Sequence, residues 1–307
     1  MQALGELTIE RIIEEMAKQL YVADREIATA LYLAIRLEKP LLIEGEPGCG
    51  KTEIAKVLSD MLSTELIRLQ CYEGLDVSST IYEWNYPKQL LYIKMMEGKK
   101  NPEEMEEEIF SEKFLLKRPL LKALLHDGPM PAILLIDEID RADEEFEGFL
   151  LEFLAEFQVT IPEIGTIKAR KKPIVIITSN RTREIGEGLR RRCLYLYLTY
   201  PPREKELRIV KLKVSGISDK LAREVVEFVQ RLRKEPDIFK KPGISETLDW
   251  AFALKALGID ELTPDVVRET LSVLLKSSDD IRNVDVETIL AEVKGYGGNS
   301  GDSQASS

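Results

Sequence analysis

The sequence predicts an α/β fold, a parallel sheet flanked by helices, followed by a small all-α domain. Three observations carry that expectation. Short apolar runs recur at 40–43 (PLLI), 65–70 (ELIRLQ), 132–136 (AILLI), 173–178 (PIVIIT) and 193–198 (CLYLYL), with helical patterns between them. Strand alternating with helix builds a parallel, doubly wound sheet. The run AILLI is apolar on consecutive positions, as a central strand covered on both faces must be. Beyond Pro201-Pro202 only helical periodicity remains, through 203–293.

Taken in order, residues 7–37 read as two helices, with Ile12, Ile13, Met16 and Leu20, then Ile27, Ala30, Leu31 and Ile35 at three- and four-residue spacing. The strand 40–43 runs into a glycine-rich turn and a helix over 51–63. Residues 99–113 (KKNPEEMEEEIFSEK) are charged and weakly periodic, so they read as a solvated insertion or a short surface helix. In 157–170 (FQVTIPEIGTIKAR), Val159 and Ile161 alternate with Thr160 before a Pro-Glu-Ile-Gly tip, which reads as an exposed hairpin. These elements place an α/β domain over 1–200. The helical part breaks at Gly216, at 235–243 and at 258–264, and forms a separate domain over 201–294. The stretch 295–307 (GYGGNSGDSQASS) cannot pack a core and reads as a disordered tail.

Composition narrows the function. The 307 residues are 44% hydrophobic and 32% charged, enough for two cores. Lys and Arg total 43 against 54 Asp and Glu, a net charge of -11. A field of that sign repels phosphate backbones, so no nucleic-acid partner is expected. Cys49, Cys71 and Cys193 are too few and scattered for a disulfide framework or a zinc site, and fit a reducing compartment. No stretch approaches the roughly 18 apolar residues that span a bilayer, and the N-terminus lacks a basic-then-apolar leader. A cytoplasmic protein with no membrane association is the expectation.

The strongest chemical signal is 45–52, GEPGCGKT, which matches G-x-x-x-x-G-K-[ST] between a strand and a helix. Gly45, Gly48 and Gly50 let successive amides face one anion, and the helix N-terminus adds its positive dipole. Gly45, Glu46, Pro47, Gly48, Cys49, Gly50, Lys51 and Thr52 are together expected to line a nucleotide's phosphates. Lys51 can reach the outer phosphates and Thr52 can ligate magnesium. Next, the strand ILLIDE ends in two carboxylates, a costly ending unless they serve a site. Asp137 is placed to hold the magnesium of a bound nucleotide. Glu138 is placed to polarise an attacking water.

Two further signals are weaker alone. The strand PIVIIT ends in Ser179-Asn180, whose amide could bond a γ-phosphate and a water, although Asn after a strand is also ordinary turn chemistry. The run LRRRC at 189–193 is either a solvated helix end or the carrier of an arginine finger, which neutralises charge on a transferring phosphoryl group.

In this order the four elements resemble the AAA+ family along 20–200, and the helical 203–293 looks like its lid. Within AAA+, DEIDRA (137–142), LQCYEGLD (69–76), YEWNYPKQLL (82–91), RPLL (118–121) and LDWA (248–251) look like the MoxR group. The resemblance implies magnesium-dependent ATP hydrolysis in a homo-oligomer, a hexameric ring. Lys51 and Thr52 match the P-loop lysine and the metal-ligating hydroxyl, Asp137 and Glu138 the metal carboxylate and the catalytic base, and Asn180 the sensor-1 residue. It also selects Arg192, with Arg191 as runner-up, as a finger entering the next subunit's site, and matches 157–170 to a family hairpin with Pro162–Gly165 as its turn. One departure stands out: where the lid's sensor-2 arginine is usual, the chain reads Gly243-Ile244-Ser245-Glu246-Thr247. The function implied is a chaperone-like remodeller that acts on a client protein with a von Willebrand factor A-domain partner. Two alternatives stay open: a nucleotide-gated switch with little turnover, and a nucleic-acid-linked motor.

Overall fold

A computed structural model of the chain describes residues 6–97 and 99–296. By contacts the chain divides into two compact units, one running through Gln19, Ala23–Gly45 and Lys51–Tyr197, the other Leu20–Val22, Glu46–Gly50 and Leu198 onward.

The first unit opens with two helices, α1 (Ile9–Lys18) and α2 (Arg25–Leu37), then β1 (Leu41–Gly45), α3 (Lys51–Leu62) and β2 (Leu66–Gln70). After α4 (Val77–Ile81) come β3 (Tyr82–Trp84), α5 (Tyr86–Met96), α6 (Pro102–Ile109), β4 (Leu115–Lys117) and α7 (Pro119–Leu125). The remainder is β5 (Ile133–Asp137), α8 (Glu144–Glu156), β6 (Gln158–Ile161), β7 (Gly165–Lys168), β8 (Ile174–Ser179), α9 (Glu187–Arg192) and β9 (Leu194–Leu198).

Five strands form one sheet in the order β2-β5-β8-β1-β9. The pairs β2/β5, β5/β8 and β1/β8 are parallel. Residues of β1, β5 and β8 are buried on both faces, which is why their sequences are apolar without alternation. The register matters for the chemistry: Gln70 lies opposite Asp137, and Glu44 opposite Ser179. The polar ends of four strands therefore share one edge of the sheet.

Two elements depart from the sequence reading. The short antiparallel pair β3/β4 was not expected, because three residues are too few for periodicity to show. The hairpin β6/β7 forms in register, Gln158 opposite Lys168 and Ile161 opposite Gly165, but it is not exposed on both faces. Val159 and Ile161 are buried in the core, while Thr160, Thr166 and Lys168 are exposed, the two threonines sharing a 3.0 Å hydrogen bond. Period-2 alternation fits a strand with one face in the core as well as a free hairpin, and packing decided for the core.

The charged 99–113 stretch does hold a surface helix, α6, with no buried residue; Asn101 caps it by accepting the Glu104 amide at 2.7 Å. The stretch runs into a short 3-10 turn (Glu112–Phe114) whose last residue, Phe114, is buried against Tyr92 with ring centroids 5.3 Å apart.

The second unit is helical beyond β9: α10 (Arg203–Lys213), α11 (Asp219–Leu232), α12 (Ile244–Ala256), α13 (Pro264–Leu274), α14 (Ser278–Asn283) and α15 (Val286–Tyr296). Its core centres on Trp250 and Phe228, 5.3 Å apart, and the Trp250 indole donates to Thr270 Oγ1 at 2.8 Å. Gly295 and Tyr296 of the expected tail close α15, and 297–307 lie outside the described residues. No described helix is long and apolar enough to cross a membrane.

Candidate active site

The site is built from strand ends. β1 ends at Gly45, and the chain turns through Gly48 and Gly50 at φ of +73° and +93°, a region that favours glycine, before α3 begins at Lys51. Lys51 is 6% exposed, and its ammonium donates to the Gly45 carbonyl at 2.8 Å. One residue on, Thr52 Oγ1 donates to Asp137 Oδ1 at 3.1 Å. The strand–turn–helix expected from GEPGCGKT is present, and it sets Lys51 and Thr52 on the first turn of the helix.

Asp137 closes β5 at 2% exposure, where a buried carboxylate requires hydrogen-bonding partners. It has three. Oδ1 accepts from Thr52 and from Thr178 Oγ1 at 2.5 Å, while Oδ2 accepts from Arg68 Nε at 3.0 Å and Nη2 at 2.6 Å. Glu138 follows with φ +58°, a left-handed conformation unusual for a residue with a Cβ. Its amide donates to Thr178 Oγ1 at 2.9 Å, so that one hydroxyl ties both acidic residues to β8. Its carboxylate accepts from Gln70 Nε2 at 3.1 Å, Arg141 Nε at 2.9 Å and Asn180 Nδ2 at 3.3 Å. The backbone turn aims Glu138 along the strand ends, while Asp137 stays in the sheet.

Asp140 aligns Asn180. Its carboxylate, 3% exposed, accepts the amides of Asn180 at 3.1 Å and Thr182 at 2.9 Å and the Thr182 hydroxyl at 2.7 Å. Burial alone would raise this carboxyl, but the Thr182 hydroxyl and the two amides hold it below the usual carboxylate range. Burial, with the charges of Asp137, Asp140 and Glu138, pushes the neighbouring Cys71 thiol up to about 12. Burial likewise pushes Cys193 up to about 12, so neither thiol is reactive at neutral pH.

The three adjacent arginines separate. Arg190 bonds Glu44, Arg191 pairs with Glu187 on the surface, and Arg192 Nη1 donates to the Leu151 carbonyl of α8 at 3.0 Å. Thus Lys51, Thr52, Asp137, Glu138 and Asn180 are linked through one set of hydrogen-bonded strand ends, while Arg192 lies elsewhere on an exposed helix end. Arg68, Gln70, Arg141, Asp140, Thr178 and Glu44 were missed by the sequence reading. The one available signal was the polar alternation in ELIRLQ, which put Arg68 and Gln70 on one face of β2.

In the second unit, Glu46–Gly50 pack against the start of α12. The Ile244 amide donates to the Gly48 carbonyl at 2.9 Å. A Cβ at Gly243 would stand 2.8 Å from Gly48 backbone atoms, so this contact requires glycine. Glu246 Oε2 accepts the Gly243 amide at 2.9 Å. The nearby Arg233 is bound to Glu206 through two 2.7 Å bonds, with both side chains buried. That charge is already matched.

The profile of the family described as "ATPase family associated with various cellular activities (AAA)" matches residues 41–198. The chain belongs to that family. An uncharacterized protein of Staphylococcus aureus (strain bovine RF122 / ET3-1) is 29% identical over 203 residues, 64% of this chain and 69% of the relative. Among solved structures, the Thermotoga maritima RuvB Holliday junction branch migration motor aligns at 20% identity and a TM-score of 0.46, covering 90% of this chain and 75% of that one. A putative ATPase from Cytophaga hutchinsonii aligns at 18% and 0.46, covering 94% and 93%. Scores this low add nothing to the family assignment. For an AAA ATPase the oxygen donors fit a hard cation: Thr52 Oγ1 and the Asp137 carboxylate, 3.1 Å apart, are the donor types that magnesium takes. Among the described residues there is no group of three or more His, Cys, Asp or Glu that could hold a metal ion.

Proposed function

We propose that this AAA ATPase hydrolyses ATP with Glu138 as the general base. The supporting observation is the clamp on its carboxylate: Gln70, Asn180 and Arg141 donate to it from three directions, beside an Asp137 already committed to Thr52, Thr178 and Arg68. Two adjacent carboxylates with different partners suit two roles. Lys51 and the amides of 45–52 bind the phosphates, and Thr52 and Asp137 hold magnesium, which when bound neutralises developing phosphate charge. Glu138 takes a proton from the attacking water, with Asn180 fixing that carboxylate's direction. Arg192 serves as a finger for the site of a neighbouring copy, with Arg191 as second candidate.

The finer reading is a MoxR-type machine: a homo-oligomeric, hexameric ring that remodels or matures a client protein with a von Willebrand factor A-domain partner in the cytoplasm. Its support is the run DEIDRA with the phrases LQCYEGLD, YEWNYPKQLL, RPLL and LDWA. A second reading, a nucleotide-gated switch with little turnover, is favoured by one feature: no arginine stands at 243–247, and nearby Arg233 is neutralised by Glu206.

Nucleotide affinity and steady-state hydrolysis of two variants test the main reading. Lys51→Ala should lose binding. Glu138→Gln should bind ATP normally and hydrolyse it about 10²–10⁴-fold more slowly. Wild-type turnover by Glu138→Gln would refute the base assignment, and negligible turnover by the wild-type chain with magnesium would favour the switch.

A further inference from the structure

Glu44 is the penultimate residue of β1 and 1% exposed. A carboxylate in the middle of a sheet is stable only with close, charged partners. Both its oxygens lie 2.7 Å from Arg190 Nη2, and Oε2 also accepts the Tyr195 hydroxyl at 2.9 Å. The Arg190 guanidinium stands 5.8 Å above the Tyr195 ring, and its bond to Glu44 holds its pKa above the ordinary arginine value. Glu44 is joined in the chain to Gly45, whose carbonyl takes the Lys51 ammonium, and lies in register with Ser179, the residue before Asn180. One buried carboxylate therefore joins the phosphate-binding strand to α9.

α9 is six residues long with no side-chain cap, too short to hold its own position. Glu147 anchors its start by accepting the Gly186 amide at 2.8 Å. Arg190 anchors its last turn. Successive helical residues point about 100° apart, so an Arg190 tied to Glu44 fixes where Arg191 and Arg192 project.

We infer that Glu44 and Arg190 form a positioning pair that sets the reach of the arginine α9 delivers to a neighbouring copy. The inference rests on the reading that this finger acts in trans. It follows that Glu44, although next to the P-loop of its own subunit, matters to the subunit that receives the finger.

Subunit mixing tests this, with Arg192→Ala plus Lys51→Ala as the reference. In that mixture some interfaces pair an intact P-loop with an intact finger, so activity returns although each variant alone is inactive. Glu44→Gln leaves Arg190, whose side chain is 44% exposed, to water, and removes the charge that anchors it. Alone it should bind ATP as the wild type does and hydrolyse it about 10²-fold more slowly, the cost of a 1 Å misplacement. Mixed with Lys51→Ala, whose finger is intact, it should regain activity as the reference mixture does. A Glu44→Gln variant that stays slow while the reference recovers acts on its own site, and the inference is wrong. Unimpaired Glu44→Gln is equally fatal to it. A reference mixture that stays inactive under free subunit exchange refutes the trans finger and this inference with it. Should Glu44→Gln fail to fold by circular dichroism, Arg190→Lys, which keeps the charge but loses the fork, goes through the same mixing with the same expected outcomes.

Discussion

Asp137, Glu138 and Asp140 lie within four consecutive positions, yet their surroundings give them three uses. Asp137 is buried among two hydroxyls and a guanidinium, Glu138 is turned along the strand ends by its positive φ, and Asp140 accepts the amides of Asn180 and Thr182. Asp140→Asn sets an NH2 group against those amide donors, so Asn180 should lose its alignment. We expect kcat to fall and KM to stay near the wild-type value, which steady-state kinetics would measure. The same carboxyl has a pH signature. Its pKa is lowered in the folded chain, so its stabilisation is present above the unfolded value and is lost as pH falls through the folded one. In urea unfolding the wild type's margin over Asp140→Asn should be full at neutral pH and vanish in acid. A margin that does not change with pH would contradict the assignment.

Among the elements, the hairpin β6/β7 shows how a pattern can be read correctly and placed wrongly. Val159 and Ile161 do alternate with polar neighbours, and the turn does lie at its Pro-Glu-Ile-Gly tip, but the apolar face joins the core of the first unit. Ile161 is fully buried, so Ile161→Ala should cost about 2–4 kcal/mol of stability in denaturant unfolding. Serine at the exposed Pro162 and Glu163 should change stability by no more than about 0.5 kcal/mol. Equal costs at core face and tip would contradict this division. If the tip meets a client, the serine variant should keep basal hydrolysis and lose partner-dependent activity.

For the molecule as a whole, the proposed finger from another copy would make turnover a property of the assembly. Specific ATPase activity should rise with protein concentration over the range in which light scattering shows assembly. Arg192→Ala should assemble and bind ATP while hydrolysing it about 10³–10⁵-fold more slowly. Constant specific activity down to the monomer would show a site that is complete in one chain.

The local features of this protein were legible in its sequence. Glycines at 45, 48 and 50 before Lys51-Thr52, an apolar run ending in Asp137-Glu138, and helix-only periodicity after Pro202 are short-range patterns set by backbone freedom, burial and helical pitch. Those patterns say which residues end a strand. They do not say which strand ends are neighbours. The order β2-β5-β8-β1-β9 does, and it puts Gln70, Asp137, Thr178 and Asn180 within hydrogen-bonding reach of one another's partners. The arginines at 190–192 are alike in composition and pattern, and folding gives each its partner: Arg190 meets its carboxylate 146 residues away. Register and burial choose such long-range partners, and no periodicity along the chain records that choice.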